Sequence, residues 1–176
     1  IQNLYFAYKI AKNLKINDKT IIRAVNKFKG LSHRQEIVLS NKKLLCINDS
    51  KATSFDACSQ SLLNNNNIYW IVGGLPKDKD YFDLKKIKNK IIKAYVIGKN
   101  TDFFVTKIKK DIKYKISKNI KNAVNDIYKD IKLEKKTKST ILLSPAAASF
   151  DQFSNFEKRG NYFKNLIIKK FKKNNV

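Results

Sequence analysis

From Glu36 onward the chain alternates short apolar runs with segments of helical spacing, and that alternation restricts the fold more than any other feature. The runs are EIVLS, KLLCIN, IYWIVGG, KAYVIG and STILLS, set off by turn-forming Asn, Gly, Asp and Ser residues. EIVLS and KLLCIN, separated only by residues 41–43, read as strand, turn and strand. DLKKIKNKI reads as helical, KYKIS as the opening of a longer helix, and NFEKRGNYFKNLIIKKF as a final helix that packs Phe156, Phe163, Ile167 and Phe171. In the longer helix Ile120, Val124, Ile127 and Ile131 recur at helical spacing while Lys118, Lys121, Asn125, Lys129 and Lys132 take the other faces. A stripe of this kind can lie on a membrane surface, but packing against a sheet is the commoner use.

Strands alternating with helices predict an α/β fold: a Rossmann-like, mostly parallel sheet with helices on both faces. A short helical segment precedes it. Leu4, Ala7, Tyr8, Ile10, Ala11 and Leu14 fall at helical spacing, and NDKTIIRAVNKFKG reads as a second helix closed by Gly30. The predicted boundary separates residues 1–31 from residues 32–176. The chain contains no methionine and opens inside a helical pattern, so it reads as a piece of a longer protein.

With 176 residues, 43% of them hydrophobic, the chain can form one ordinary core. No apolar run approaches the roughly 18 residues of a membrane span. Its first residues already carry Lys and Asp, which predicts a soluble, cytoplasmic protein with no membrane partner. Cys46 and Cys58 have no second pair and no neighbouring histidine, so they read as packing residues rather than a disulfide or zinc site. The net charge of +24 would suit a non-catalytic basic α/β module that binds nucleic acid, and this is the alternative reading. Against it, only Arg23, Arg34 and Arg159 are arginine, while Lys, Asn and Ile are all abundant, as A/T-rich codons would give on any solvated surface.

In open parallel sheets ligands bind outside the carboxyl ends of the strands. Three loops stand there: NDSKATS, GGLPKDKD and SPAAASFDQ. Asn48, Asp49, Ser50, Lys51 and Thr53 put five polar groups between a buried strand and a helix starting near Ser54, more than capping needs. A carboxylate there could accept from ribose hydroxyls, and a lysine could meet phosphate. Gly73 and Gly74 allow a sharp turn from which Lys77 projects. The stretch LLSPAAASFDQFSNFEKRG holds a single lysine in nineteen residues, which marks positions that are packed or bound. Other chemistry is poorly supported. GKNT at residues 98–101 lacks the spacing of a phosphate loop, and DKDYFD lacks the turn glycine and distal Glu of a calcium loop. His33 is the sole histidine and no G-x-S-x-G elbow occurs.

Taken together, LSHRQEIV, INDSKATSFDA, GGLPKDKDYFDL and LLSPAAASFDQFSNFEKRGNYF resemble, in order and spacing, the C-terminal domain of the Mur ligases, with NDSKAT resembling the branch that adds D-glutamate. IQNLYFAYKIAKNL resembles the end of that family's central ATPase domain. The resemblance implies an ATP-dependent amide-forming ligase of peptidoglycan synthesis. It would join D-glutamate to UDP-N-acetylmuramoyl-L-alanine through an acyl phosphate, with Mg2+ ligands and a phosphate loop in upstream domains outside this chain, so that the piece alone is inactive. It further implies that Lys77, Thr53, Ser149 and Phe156 surround D-glutamate, and that Asn3, Arg34, Asp49 and Lys51 serve the nucleotide. Two departures stand out: Ser32 replaces a frequent Pro, and Leu75-Pro76 replace a more polar, glycine-containing turn.

Overall fold

The structure, a computed structural model, describes residues 2–77, 80–134 and 138–172. It divides into two compact units, Ile1–Gly30 and Leu31–Val176.

The smaller unit is a pair of helices, α1 (Gln2–Asn13) and α2 (Asp18–Lys27). The Asn17 side chain caps α2 by accepting from the Thr20 N–H at 2.9 Å. None of the residues of α2 is buried. Leu4, Tyr5, Tyr8, Ile21, Ile22 and Val25 line an apolar groove.

The larger unit is built on one sheet of six strands: β1 (Glu36–Ser40), β2 (Leu44–Asn48), β3 (Ile68–Gly73), β4 (Ile91–Ile97), β5 (Tyr114–Lys118) and β6 (Ser139–Leu143). Their order across the sheet is β1-β2-β6-β3-β4-β5. Only β1 runs antiparallel; every other pairing is parallel. The pleat sends alternate residues to opposite faces. Ile68, Trp70 and Val72 pack with Phe55, Leu62, Phe104 and Ile108 from helices α3 (Phe55–Leu63) and α4 (Thr101–Ile108). Tyr69 and Ile71 pack with Ile120, Val124, Phe163 and Ile167 from α5 (Ile120–Leu133) and α6 (Phe156–Ile167). The Rossmann-like expectation, helices on both faces included, is borne out. The Ile120 stripe is core, not a membrane-facing surface. Among the described residues no helix is long and apolar enough to cross a membrane.

Two local expectations are corrected. KYKIS is not the start of a helix but most of β5: Tyr114, Lys115 and Ile116 pair with Ala94, Tyr95 and Val96. Lysines along a short edge strand blunt its unpaired side, and they hide its strand character from a periodicity reading. The helix begins only at Ile120, where the Asn119 side chain accepts from the Asn122 N–H. DLKKIKNKI forms turns ending in a 3₁₀ turn, Lys88–Lys90, because Leu84 and Ile87 reach the core at a spacing of three and Ile91 is already claimed by β4. Helix α4 has little apolar pattern in its sequence TDFFVTKI, with Phe104 and Ile108 its only buried residues.

A candidate binding rim at the carboxyl edge of the sheet

The parallel strands place the loops after β2, β3, β4 and β6 along one edge, and hydrogen bonds knit them together. The Asp49 N–H donates to Leu143 O at 2.7 Å, tying the β2 loop to the end of β6. Gly73 N–H donates to Pro145 O, and Leu75 and Ala148 exchange backbone hydrogen bonds, tying the β3 loop to the β6 loop. Asn100 donates through Nδ2 to Gly74 O, and the Asp151 carboxylate accepts from the Lys99 N–H, which brings in the β4 loop. The β3 loop can come this close only because Gly74 has no side chain: a Cβ there would stand 2.4 Å from Ala148 O, at a φ of +138°.

Asp49 is the centre of the β2 loop. Its carboxylate, 5% exposed, accepts from Ser61 Oγ at 2.6 Å, Ser144 Oγ at 3.0 Å and the Gln35 N–H at 3.1 Å. Burial pushes its pKa above the ordinary value, while the donors from Ser61, Gln35 and Ser144 and the charge of Arg34 pull the other way. A carboxylate has about four acceptor positions, so about one is left for a ligand.

Two buried side chains, Arg159 and His33, hold the rim from behind, and sequence reasoning assigned neither of them a place in the site. Arg159 of α6, 1% exposed, donates through Nε to Ser50 Oγ at 3.0 Å and through Nη2 to Ser50 O at 2.7 Å and Ala147 O at 2.9 Å. Ser50 Oγ in turn donates to Phe156 O at 2.9 Å. Burial lowers the Arg159 pKa to about 10, opposed by the charge of Asp151; the group stays cationic at neutral pH. His33, 6% exposed and at a φ of +63°, meets Asn48 Nδ2 through Nδ1 at 2.9 Å, donates its N–H to Glu36, and offers its carbonyl to the Lys51 N–H. Glu36 also pairs with Lys164 of α6. The His33–Arg34 segment is thereby fastened to NDSK.

Seven of the eight predicted site residues lie in the larger unit. Thr53 is half-buried between Asp49 and the α3 cap Ser54, whose Oγ accepts from the Ala57 N–H. Lys51 is half-buried with Nζ 4.0 Å from the Phe156 ring centroid. Ser149 is buried, its carbonyl receiving the N–H groups of Gln152 and Phe153. Lys77 and Arg34 are exposed. Asn3 lies exposed on α1, in the other unit. Phe156 is not the core anchor expected of it: it sits half-buried at the first turn of α6, under Lys51 and edge-on to His33, while Phe163, Ile167 and Phe171 do enter the core. Phe150, in the same loop, is 70% exposed. Asp78 of the rejected calcium loop lies outside the described residues. Among the described residues no group of three or more His, Cys, Asp or Glu is placed to hold a metal ion.

Comparison with known proteins points to one group. The chain is 38% identical over 168 residues to UDP-N-acetylmuramoylalanine–D-glutamate ligase of Wolbachia sp. subsp. Brugia malayi, covering 96% of this chain and 34% of that protein. It is 36% identical over 162 residues to the ligase of the same name from Rickettsia prowazekii, covering 92% and 36%, and 38% identical over 148 residues to that of Rhizobium meliloti, covering 84% and 32%. The chain thus spans about a third of the length of these relatives. In fold it is similar to MurF from Acinetobacter baumannii, at a TM-score of 0.61 and 16% identity over 93% of this chain and 37% of that one. It is also similar to MurF ligase from Thermotoga maritima in complex with ADP, at a TM-score of 0.54 and 15% identity over 92% and 37%. No protein-family model matches the chain. The resemblance carried by the four motifs is borne out by these relatives.

Proposed function

We propose, from the premise that this chain is kin to the Mur ligases along nearly its whole length, that it serves as the amino-acid-binding part of an ATP-dependent ligase that joins D-glutamate to UDP-N-acetylmuramoyl-L-alanine in peptidoglycan synthesis. On this reading residues 32–176 are the C-terminal domain and residues 1–31 the last helices of the ATPase domain. The observation that carries it is the rim: NDSKAT, GGLPK and SPAAAS, far apart in sequence, are hydrogen-bonded into one edge of the sheet.

The residues divide the work as their settings allow. Lys77, exposed on the β3 loop, is free to turn its ammonium toward a carboxylate of D-glutamate. Thr53 and Ser149 offer hydroxyls from two other loops, and the N-terminal turn of α6 at Phe156 offers N–H groups that favour an anion. Held at several points, the amino acid presents its amine to the activated carboxyl carbon at about 3–3.5 Å, which is the gain that positioning gives. Arg34, Lys51 and the remaining acceptor of Asp49 face the nucleotide, with Asn3 contributing from the ATPase part. ATP, bound by the full-length protein, supplies the phosphoryl group that activates the substrate carboxylate.

The full-length gene product, given ATP, Mg2+, UDP-N-acetylmuramoyl-L-alanine and D-glutamate, should release phosphate in a D-glutamate-dependent manner. Release that is absent, or indifferent to D-glutamate, contradicts this function.

A further inference from the structure

The Arg159 guanidinium lies at the crossing of every rim loop that the proposed function uses. It binds the carbonyl and hydroxyl of Ser50 after β2 and the carbonyl of Ala147 after β6, and through Ser50 it reaches the carbonyl of Phe156 at the head of α6. The β3 loop touches it as well, since a Cβ on Gly74 would stand 3.3 Å from Nη1. Three fixed donors in a plane reach three acceptors on two loops, which a lysine ammonium on a flexible stem cannot reproduce. Among the described residues no carboxylate forms an ion pair with this buried cation, and its Nη1 is buried without a hydrogen-bond partner. A desolvated charge of this kind is costly until an opposite charge comes near. It is also poorly screened by salt, so it acts on its surroundings over several ångströms.

We propose that Arg159 is a positioning residue for the acidic amino-acid substrate: it locks the Ser50, Ala147 and Phe156 segments in one register, and its buried charge, which no carboxylate among the described residues meets in an ion pair and which Asp151 balances only at longer range, favours a dicarboxylate arriving at the rim. The inference rests on the ligase reading above and deepens it, because it makes the pocket demand an anionic amino acid before any side chain touches it. The guanidinium itself stays behind the loops and contacts no reacting atom.

The test uses the full-length gene product, with D-glutamate and ATP varied separately. Arg159→Lys keeps the charge and loses the fork; it should raise the KM for D-glutamate about tenfold or more while moving the KM for ATP by less than about twofold. Ser50→Ala, which cuts only the link from Arg159 to Phe156, should shift the KM for D-glutamate in the same direction by about two- to tenfold. It decides the matter if Arg159→Lys does not fold. A folded variant that leaves both KM values unchanged, or moves both equally, overturns the inference while the ligase reading stands. Wild-type protein without D-glutamate-dependent phosphate release overturns the ligase reading, and this inference with it.

Discussion

Gly160→Ala is an informative perturbation, because two effects of opposite sign compete at that position. Gly160 lies within α6 at an ordinary helical conformation, where replacing Gly by Ala stabilises an exposed helix by about 0.8–1.0 kcal/mol. Here the new Cβ would stand 2.2 Å from His33 Nδ1 and 2.9 Å from His33 Cε1. The ring has nowhere to go: it is buried, paired with Asn48, and its backbone is held by Glu36 and Lys51. Overpacking of such a site costs about 1–3 kcal/mol, and loss of the His33–Asn48 hydrogen bond adds about 0.5–1.5 kcal/mol. Less the helix gain, the net is a loss of about 2 kcal/mol, equivalent to a fall in Tm of about 4–8 °C for a chain of this size. Thermal unfolding followed by circular dichroism reads it directly. The same substitution in a His33→Ala background removes the two nearest obstacles and leaves Asn48 Nδ2 at 3.0 Å as the next, so most of the loss should vanish. A Tm that rises with Gly160→Ala alone, or falls equally in both backgrounds, refutes the view that His33 is wedged between α6 and the NDSK loop.

Other outcomes follow from the same geometry. In the full-length gene product Lys77→Ala should raise the KM for D-glutamate by about 10- to 100-fold, the worth of a charged hydrogen bond, and leave that for ATP nearly unchanged; equal shifts would assign Lys77 to the nucleotide or to the loop alone. Ser149→Ala, losing one neutral hydrogen bond, should cost about two- to tenfold in the same KM, and an effect as large as that of Lys77→Ala would mean that Ser149 shapes the whole loop. For Asp130, burial works to raise the pKa, but hydrogen bonds from Lys93 at 2.7 Å and Tyr95 at 2.6 Å win and hold it below the ordinary 3.8. Its stabilising contribution is therefore complete above about pH 3.8 and is lost as pH falls through the lower folded-state value. The Tm gap between wild type and Asp130→Asn should be wide at pH 7 and close in strong acid; a gap that widens in acid contradicts the assignment.

The parts of this architecture that local patterning controls were legible in the sequence. Apolar runs bounded by turn residues marked the core strands, and the Ser54 cap and the five polar residues after β2 marked the rim. Strand order was not legible, because β2 pairs with β6 across the length of the unit and no local signal records it. β5 escaped because its exposed, lysine-bearing edge carries almost no apolar pattern. Within the site, Asp49, Lys51 and Thr53 announced themselves by crowding. Arg159 did not, since a residue inside an amphipathic helix looks like any other solvated cation. One signal was present: in a chain that uses Lys almost everywhere, Arg is retained at only Arg23, Arg34 and Arg159, and two of those three belong to the rim. His33 was visible as the sole histidine, but its burial against Gly160 arises only when α6 packs over β2.

The central claim is that loops from β2, β3 and β6 jointly bind D-glutamate, and a crystal structure of the full-length gene product with ADP and D-glutamate tests it most directly. The amino acid should lie at the carboxyl edge of the sheet with its carboxylates within hydrogen-bonding distance of Lys77 and of Thr53 or Ser149, behind which Arg159 still grips Ser50 and Ala147. D-glutamate bound elsewhere, or held by residues of only one of these loops, would contradict the account.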